Sequence, residues 1–527
     1  MRRFNSYGPI NNKLHYYAPR QELIENAYTN LVGEVPDEGG HYFTVWASRQ
    51  TGKTWLMRET IKRIDQTGQY HQAIISMDQA KAEKEEKKVV SILIEKMQIA
   101  FSRQFPRIQK INEIPLLFTA SYFQKPVILI LDEFDGLEEE WINGFVAIFR
   151  DMFISRVNEW GKTSNEKHYL LHGLALIGVR SVLGIENPKG SPFNVQRSFR
   201  VPNLTDEEVA GMFQWYERES GQKVEESVIR ALFNETLGHP GLTCWFGELL
   251  TETYNPDKNQ PIDMNHFNKV YGAATHTLPN NTILNLISKV NKPPYEEMVM
   301  ELFKTGAKIE FKFNNKDINY LYMNGVIAAE ETDIGEYYVK FSCPFVQKSL
   351  FDYFSNQIFN YMGQLIQPLD TMNDAIDDQT LHVPNIIQRY RTYLKKNGPT
   401  FFKDVPRRKT DLKIYEAVYH FNLYRYLYDL LKPRGVDVVP QFPTGNGKID
   451  LILKYRGKVQ ALELKGFRDM YTFEKGIDQA ASYGRQLGLT EIVYLVFVEL
   501  SEEDAKQLEQ AVEKGGIKVI VVPVGIL

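Results

Sequence analysis

Residues 47–54 read ASRQTGKT, one glycine short of the phosphate-binding pattern G-x-x-x-x-G-K-[ST], with Ala47 where the first glycine would stand. Such a loop works because successive backbone N–H groups and a helix N-terminus face an anion. Gly52 permits close approach, Lys53 supplies charge for the β- and γ-phosphates, and Thr54 offers a hydroxyl to magnesium. Alanine is a poor replacement only where φ is positive, and we expect a negative φ at Ala47. The nucleotide-binding set is then Ala47, Gln50, Thr51, Gly52, Lys53 and Thr54.

Working outward, the apolar runs HYFTVW, QAIISMD, PVILILDE and LALIGVR alternate with helical stretches between residues 41 and 180. Continuous apolar strands of this kind suit a parallel sheet covered on both faces, an α/β layering. The stretch VILILDEFD ends its strand on Asp132 and Glu133, at the edge where the phosphate loop must emerge. Asp132 would hold hydrated magnesium, Glu133 would polarise an attacking water, and Arg180, ending LALIGVR, would sense the γ-phosphate. A lone GKT or a lone acidic pair is often chance; three parts in order on the proper strand ends predict an ATP site.

Beyond residue 200 the period turns helical, with Asn203 or Thr205 as N-cap of NLTDEEVAGMFQWYERESG. Residues 281–360 read helix, helix, DINYLYMNGVI, a hairpin through TDIGEYYVKF and a helix after Pro344, the order of a winged helix. The expected domains are 1–200 (ATPase core), 201–280 (helical lid), 281–360 (winged helix), 361–410 (helical connector) and 411–527 (a second α/β unit).

That last unit contains GKIDLILKYRGKVQALELKG, residues 447–466. A two-residue turn at Arg456-Gly457 would set Asp450 directly opposite Glu463, where like charges repel. Two carboxylates so placed, with Lys465 on Glu463's face, ask for a divalent ion, magnesium or manganese. The plainer alternative is a hairpin with solvated charges, but these acids interrupt apolar strands. Upstream, Glu416 opens a helix; downstream, Gln479 and Tyr483 share a helix face at i and i+4.

The motifs over residues 4–355 resemble the AAA-ATPase-like proteins related to STAND and origin-recognition ATPases: FNSYGPINNKLHYYAPRQELI, ASRQTGKT, LILDEFD, ALIGVRS and SPFNVQRSFRVPNLT. The resemblance implies that Arg20 lies near the adenine, that Pro240 of Gly238-His239-Pro240 touches the base, and that Arg180 reports the γ-phosphate. Pro240 equally suits a plain turn between helices. Arg197 and Arg200 are arginine-finger candidates if the chain forms a homo-oligomer. The set over 411–500, a helix with Glu, a strand with Asp, a strand with E-x-K and a helix with Q-x-x-x-Y, resembles the PD-(D/E)XK (restriction-endonuclease-like) nucleases in their RecB-like branch. It implies metal-dependent cleavage of nucleic acid, with DNA favoured over RNA. Asp450 and Glu463 would be metal ligands aided by the Leu464 carbonyl. Glu416 would hold a second metal or orient the first, Lys465 would position water, and Gln479 and Tyr483 would shape the site. Arg407, Arg408, Lys409, Lys454, Arg456 and Lys458 would hold phosphates.

Composition fits this picture. The 527 residues exceed one core, and 43% hydrophobic with 24% charged is ordinary globular usage. Net charge is −4, yet residues 401–485 carry 16 Lys and Arg against 10 Asp and Glu, a local excess suited to nucleic acid. Two distant cysteines, Cys244 and Cys343, form neither a disulfide framework nor a zinc site. MRRFNSYGPINNK lacks a signal-peptide core and no run reaches membrane-spanning length, so a cytoplasmic location without membrane contact is expected. The function read from sequence is an ATP-regulated nuclease; the alternative is a nucleotide-switched sensor or scaffold whose nuclease fold only binds, and a processive translocase is weaker for want of helicase motifs.

Overall fold

The computed structural model describes residues 1–178, 197–304, 309–366, 370–443 and 448–526, so Arg180 lies outside the described residues. The chain divides into two compact units, one of residues 1–286 with 312–328 and 342–344, the other of 287–311, 329–341 and 345–527.

The first unit is built on β1 (Tyr42–Trp46), β2 (His71–Ser76), β3 (Val127–Asp132), β4 (Leu171–Gly178) and β5 (Arg197–Arg200). They form one sheet in the order β2-β3-β4-β1-β5, every neighbouring pair parallel. Both faces are covered, as the continuous apolar strands required. Leu129 and Leu131 pack into one core and Ile128 and Ile130 into another, by the two-residue period of a strand. The short β5, with sequence RSFR, was not anticipated; it has no apolar run and owes its strand geometry to pairing with β1. Thr205 caps the Asp206–Ser220 helix in a full capping box with Glu208. Helices Glu226–Thr236, Pro240–Glu248 and Met264–His276 follow.

Residues 281–360 contain the helices Asn281–Val290, Tyr295–Leu302 and Lys316–Met323, the paired strands β6 (Ile327–Glu331) and β7 (Tyr337–Phe341), and the helix Pro344–Ile358. Their residues are shared out between the two units.

The second unit carries β8 (Asp437–Pro443), β9 (Lys448–Tyr455), β10 (Lys458–Gly466), β11 (Glu491–Val498), β12 (Gln510–Lys514) and β13 (Ile517–Gly525) in a mixed sheet of order β12-β13-β11-β10-β9-β8. The Met470–Gln486 helix packs on the sheet through Phe473, Ile477 and Ala480 against Ile452, Ala461 and Tyr494. Tyr419, from the Glu416–Leu431 helix, stacks on Phe497 with ring centroids 4.7 Å apart. Further along that helix Phe421 is enclosed by Phe303, Phe351 and Phe354. Cys244 and Cys343 are buried thiols, and no helix among the described residues is long and apolar enough to cross a membrane.

Candidate functional site

In the first unit, the parallel sheet delivers the phosphate loop after β1 and Asp132 after β3 to the same edge, with the end of β4 between them. Ala47 is buried in the core and is not among the described residues with positive φ; the left-handed positions are Gln50, at φ 57°, and Gly52, at φ 87°. Gly52 leads directly into the Lys53–Asp65 helix. The Lys53 ammonium donates to the carbonyls of Ala47 (2.9 Å) and Ser48 (2.7 Å), and the Thr51 hydroxyl donates to Ser48 (2.9 Å). Burial lowers Lys53 to about 8, against the opposing pull of Asp135, Asp132 and Glu133. Thr54 donates to Asp132 at 2.7 Å, joining the hydroxyl and the carboxylate expected to share magnesium. Burial pushes the Asp132 carboxyl up.

The remaining candidates make contacts of their own. Glu133 has φ 58° and gives its carboxylate to Lys81 at 2.5 Å. Asp135, not singled out in advance, lies against the end of β4: a Cβ on Gly178 would sit 2.5 Å from its Cγ. It also exerts the strongest carboxylate pull on Lys53. Its only sequence signal is that it is the third acid of DEFD. Arg20 bonds Glu208 (3.2 Å) and the carbonyls of Pro202 and Asn203 (2.9 Å each), clasping the segment that enters the helical region. Pro240 is the first residue of its helix, and His239, the N-cap, accepts from Leu242 N–H while its ring bonds the backbone of Arg49 in the phosphate loop. Burial pushes His239 down to about 4, so it is neutral at pH 7. Gln50 packs on the same helix start, where a Cβ on Gly241 would be 2.5 Å from its Oε1. The Arg200 guanidinium lies over the rings of Trp46 (5.6 Å) and Tyr322 (5.2 Å).

In the second unit, β9 and β10 pair in the register that the two-residue turn required, from Lys458↔Tyr455 to Leu462↔Leu451. Arg456 and Gly457 both have positive φ, 51° and 78°, the requirement of a type I′ turn. Asp450 and Glu463 follow next in that register, both buried, and Asp450 Oδ2 accepts from Leu464 N–H at 2.7 Å. The Lys465 ammonium lies 3.0 Å from Glu463 Oε1 and 3.6 Å from Glu416 Oε1. Glu416, first residue of its helix, also accepts from Gly466 N–H at 3.3 Å. Glu463 Oε1 thus has the Lys465 ammonium as its partner, while Oε2 is buried with no hydrogen-bond donor. Burial, then Asp450, drives the Glu463 carboxyl well above its ordinary range. Burial alone would lower Lys465, but Glu463, Glu416 and Asp450 outweigh it and hold the ammonium charged.

Sequence reasoning missed two neighbours here. His420, one turn along from Glu416, brings Nδ1 to 3.6 Å from Asp450 Oδ1. Tyr494 is the parallel-strand partner of Glu463, and its hydroxyl occupies the space a Cβ on Gly476 would need. Gln479 donates to the Tyr483 hydroxyl at 2.7 Å, so the two expected site-shaping residues bond each other. The metal reading needs refinement: among the described residues, no three His, Cys, Asp or Glu side chains gather closely enough to hold an ion as they stand. The reason is visible in the distances, since the Lys465 ammonium sits between Glu463 and Glu416 and a backbone N–H occupies one Asp450 oxygen. The basic residues also redistribute. Arg407 pairs with Glu499, Arg408 with Asp411 and Lys409 with Glu297. Arg456 and Lys458 stand at the hairpin tip, roughly 20 Å from the acids at ~3.3 Å per residue.

No family model matches the chain, and no curated protein matches it. Among solved structures, a Walker-type ATPase of Pyrococcus abyssi is similar at 14% identity and TM-score 0.43, over 66% of this chain and 99% of that one. The ORC1 protein of Aeropyrum pernix, in complex with DNA, is similar at 14% identity and TM-score 0.33, over 64% and 92%. Cdc6p of Pyrobaculum aerophilum gives 13% identity and TM-score 0.36, over 67% and 97%. At these scores the reading of both sites rests on their own side chains.

Proposed function

We propose that this protein is an ATP-regulated, metal-dependent nuclease that cleaves phosphodiester bonds in nucleic acid, with DNA as the favoured substrate. The observation that carries the reading is the Glu463 carboxylate, fully buried beside Asp450, with the Lys465 ammonium at Oε1 and no hydrogen-bond donor at Oε2. Such a placement is destabilising on its own, and it fits a hard cation that would supply the missing partner. Asp450 and Glu463 would hold magnesium, or manganese, with the Leu464 carbonyl alongside and Glu416 at the margin. The chemistry supplied by that ion is Lewis-acid neutralisation of charge on the phosphoryl oxygens. Lys465 would orient the attacking water and offset negative charge growing on the phosphorus centre. Gln479 and Tyr483 would shape the adjoining wall as one bonded pair.

The first unit would bind ATP with magnesium: Gly52 and the loop backbone around the phosphates, Lys53 on their charge, Thr54 and Asp132 toward the cation. Ala47, Gln50 and Thr51 complete the loop. Arg20 and Pro240 would frame the base, and Arg180 would report the γ-phosphate. For hydrolysis, Glu133 must leave Lys81 to meet a water. The domain limits drawn from sequence, 1–200, 201–280, 281–360, 361–410 and 411–527, belong to this proposal, as does assembly into a homo-oligomer. The test is magnesium-dependent nicking of a supercoiled plasmid, with and without ATP. Lys465→Ala should lower the nicking rate at least 100-fold while ATP affinity is unchanged; equal nicking by the variant would refute the assignment.

A second reading, a nucleotide-switched sensor whose nuclease fold binds without cutting, is favoured by the position of the Lys465 ammonium between the acids it would otherwise serve. Nucleic-acid binding with no metal-dependent nicking in the same assay selects it.

A further inference from the structure

Beside Glu416 the second unit carries a pocket of about 280 Å³. Ile414, Phe467 and Leu500 give it apolar walls, and Arg408, Lys413 and Arg468 give it cations. The acids that could neutralise them are engaged. Asp411 holds Arg408 at 3.0 Å, and Glu499 takes Arg407 at 3.0 Å together with the Ile414 N–H. Lys413 and the exposed Arg468 make no ion pair among the described residues. The inner end of the pocket is Gly466 and Glu416, and Glu416 Oε1 is 3.6 Å from the Lys465 ammonium.

The lining side chains, with Arg408, Lys413 and Arg468 against Glu416 and Glu499, keep a net positive charge, which favours an anion between them. A phosphate suits the arrangement, since a guanidinium and an ammonium offer it charge-assisted donors while the apolar walls carry the attached sugar or base. We infer that this pocket seats a phosphate of the nucleic-acid strand next to the bond being cut, as a backbone diester or a terminal monophosphate, with Lys413 and Arg468 its principal contacts. The inference rests on the nuclease reading for the identity of the strand, but binding can be measured without cutting.

The experiment uses the full chain carrying Lys465→Ala, in chelator, with a fluorescein-labelled single-stranded 20-mer read by anisotropy across a salt series. Adding Lys413→Ala and Arg468→Ala should weaken binding roughly 10-fold and reduce the slope of log K against log salt by about 1 to 1.5. The matched pair Lys395→Ala and Lys396→Ala, exposed on the Val383–Phe401 helix, removes the same charge and should change affinity less than 2-fold. Loss confined to a 5′-phosphorylated probe assigns the terminal monophosphate, and equal loss with a 5′-hydroxyl probe assigns the backbone diester. Unchanged affinity and slope in the pocket pair, or an equal loss from the Lys395 and Lys396 pair, overturns the inference. In the Lys465-intact protein, nicking with an unaltered KM after the pocket substitutions would sink the pocket and spare the nuclease; pocket-dependent binding without nicking would do the reverse.

Discussion

Lys465 brings one positive charge into a buried site where Glu463 and Glu416 flank it and Asp450 adds to its field. The environment is too dry for every carboxylate to ionise cheaply, so Glu463 holds its proton more tightly than it would in an unfolded chain. The sign of the pH effect follows. An acid raised on folding contributes its stability below its unfolded value, here 4.5, and loses it as pH rises through the folded value. Glu463→Gln has nearly the shape of the protonated side chain and does not titrate. The metal-free variant should therefore match the natural chain near pH 5 and exceed it increasingly toward pH 9. The gain is at most about 1.4 kcal/mol per pH unit, read from denaturant midpoints along a pH series. Parallel pH profiles would show that Glu463 ionises freely in the folded state.

At the scale of elements, two features position the chemistry: the β9–β10 turn and the contacts around the phosphate loop. Gly325 has φ 80°, and a Cβ there would lie 2.5 Å from that of Ser48, whose carbonyl receives both Lys53 and Thr51. Gly325→Ala should thus destabilise the chain by about 1–2 kcal/mol through the left-handed backbone and weaken ATP binding several-fold by shifting the loop. Ser48→Gly in the same chain should restore the ATP affinity measured by calorimetry but not the stability. Failure of that rescue would remove the contact from consideration. The hairpin register was legible because a two-residue turn and alternating burial leave one solution, and β1 to β4 were legible as apolar runs. β5, Asp135, His239 and Lys413 with Arg468 were not. Each acquires its place from partners distant in sequence, such as Gly178 for Asp135 and the phosphate-loop backbone for His239. Arg180, the sequence candidate for γ-phosphate sensing, lies outside the described residues.

For the whole molecule, the second unit gathers residues from 287 onward, well upstream of the boundary at 411 suggested by composition and motifs. Phe303, Phe351 and Phe354 pack on Phe421 in the helix that begins with Glu416. Losing each such ring from a core typically costs about 3–5 kcal/mol, comparable to much of a domain's total stability. A fragment of residues 411–527 should therefore unfold at least 10 °C below the corresponding transition of the full chain and bind a hydrophobic dye. A fragment as stable as the parent would show that those rings contribute little.

The turn at Arg456-Gly457 has a consequence for how the sequence is free to vary. Twelve residues separate Asp450 from Glu463, and that number acts as a ruler. Adding or deleting a single residue within either strand would send one acid to the far side of the ribbon, whereas lengthening the tip by a loop that preserves the pairing would leave the two acids facing each other. Length, more than composition, is the inheritance this ribbon must guard.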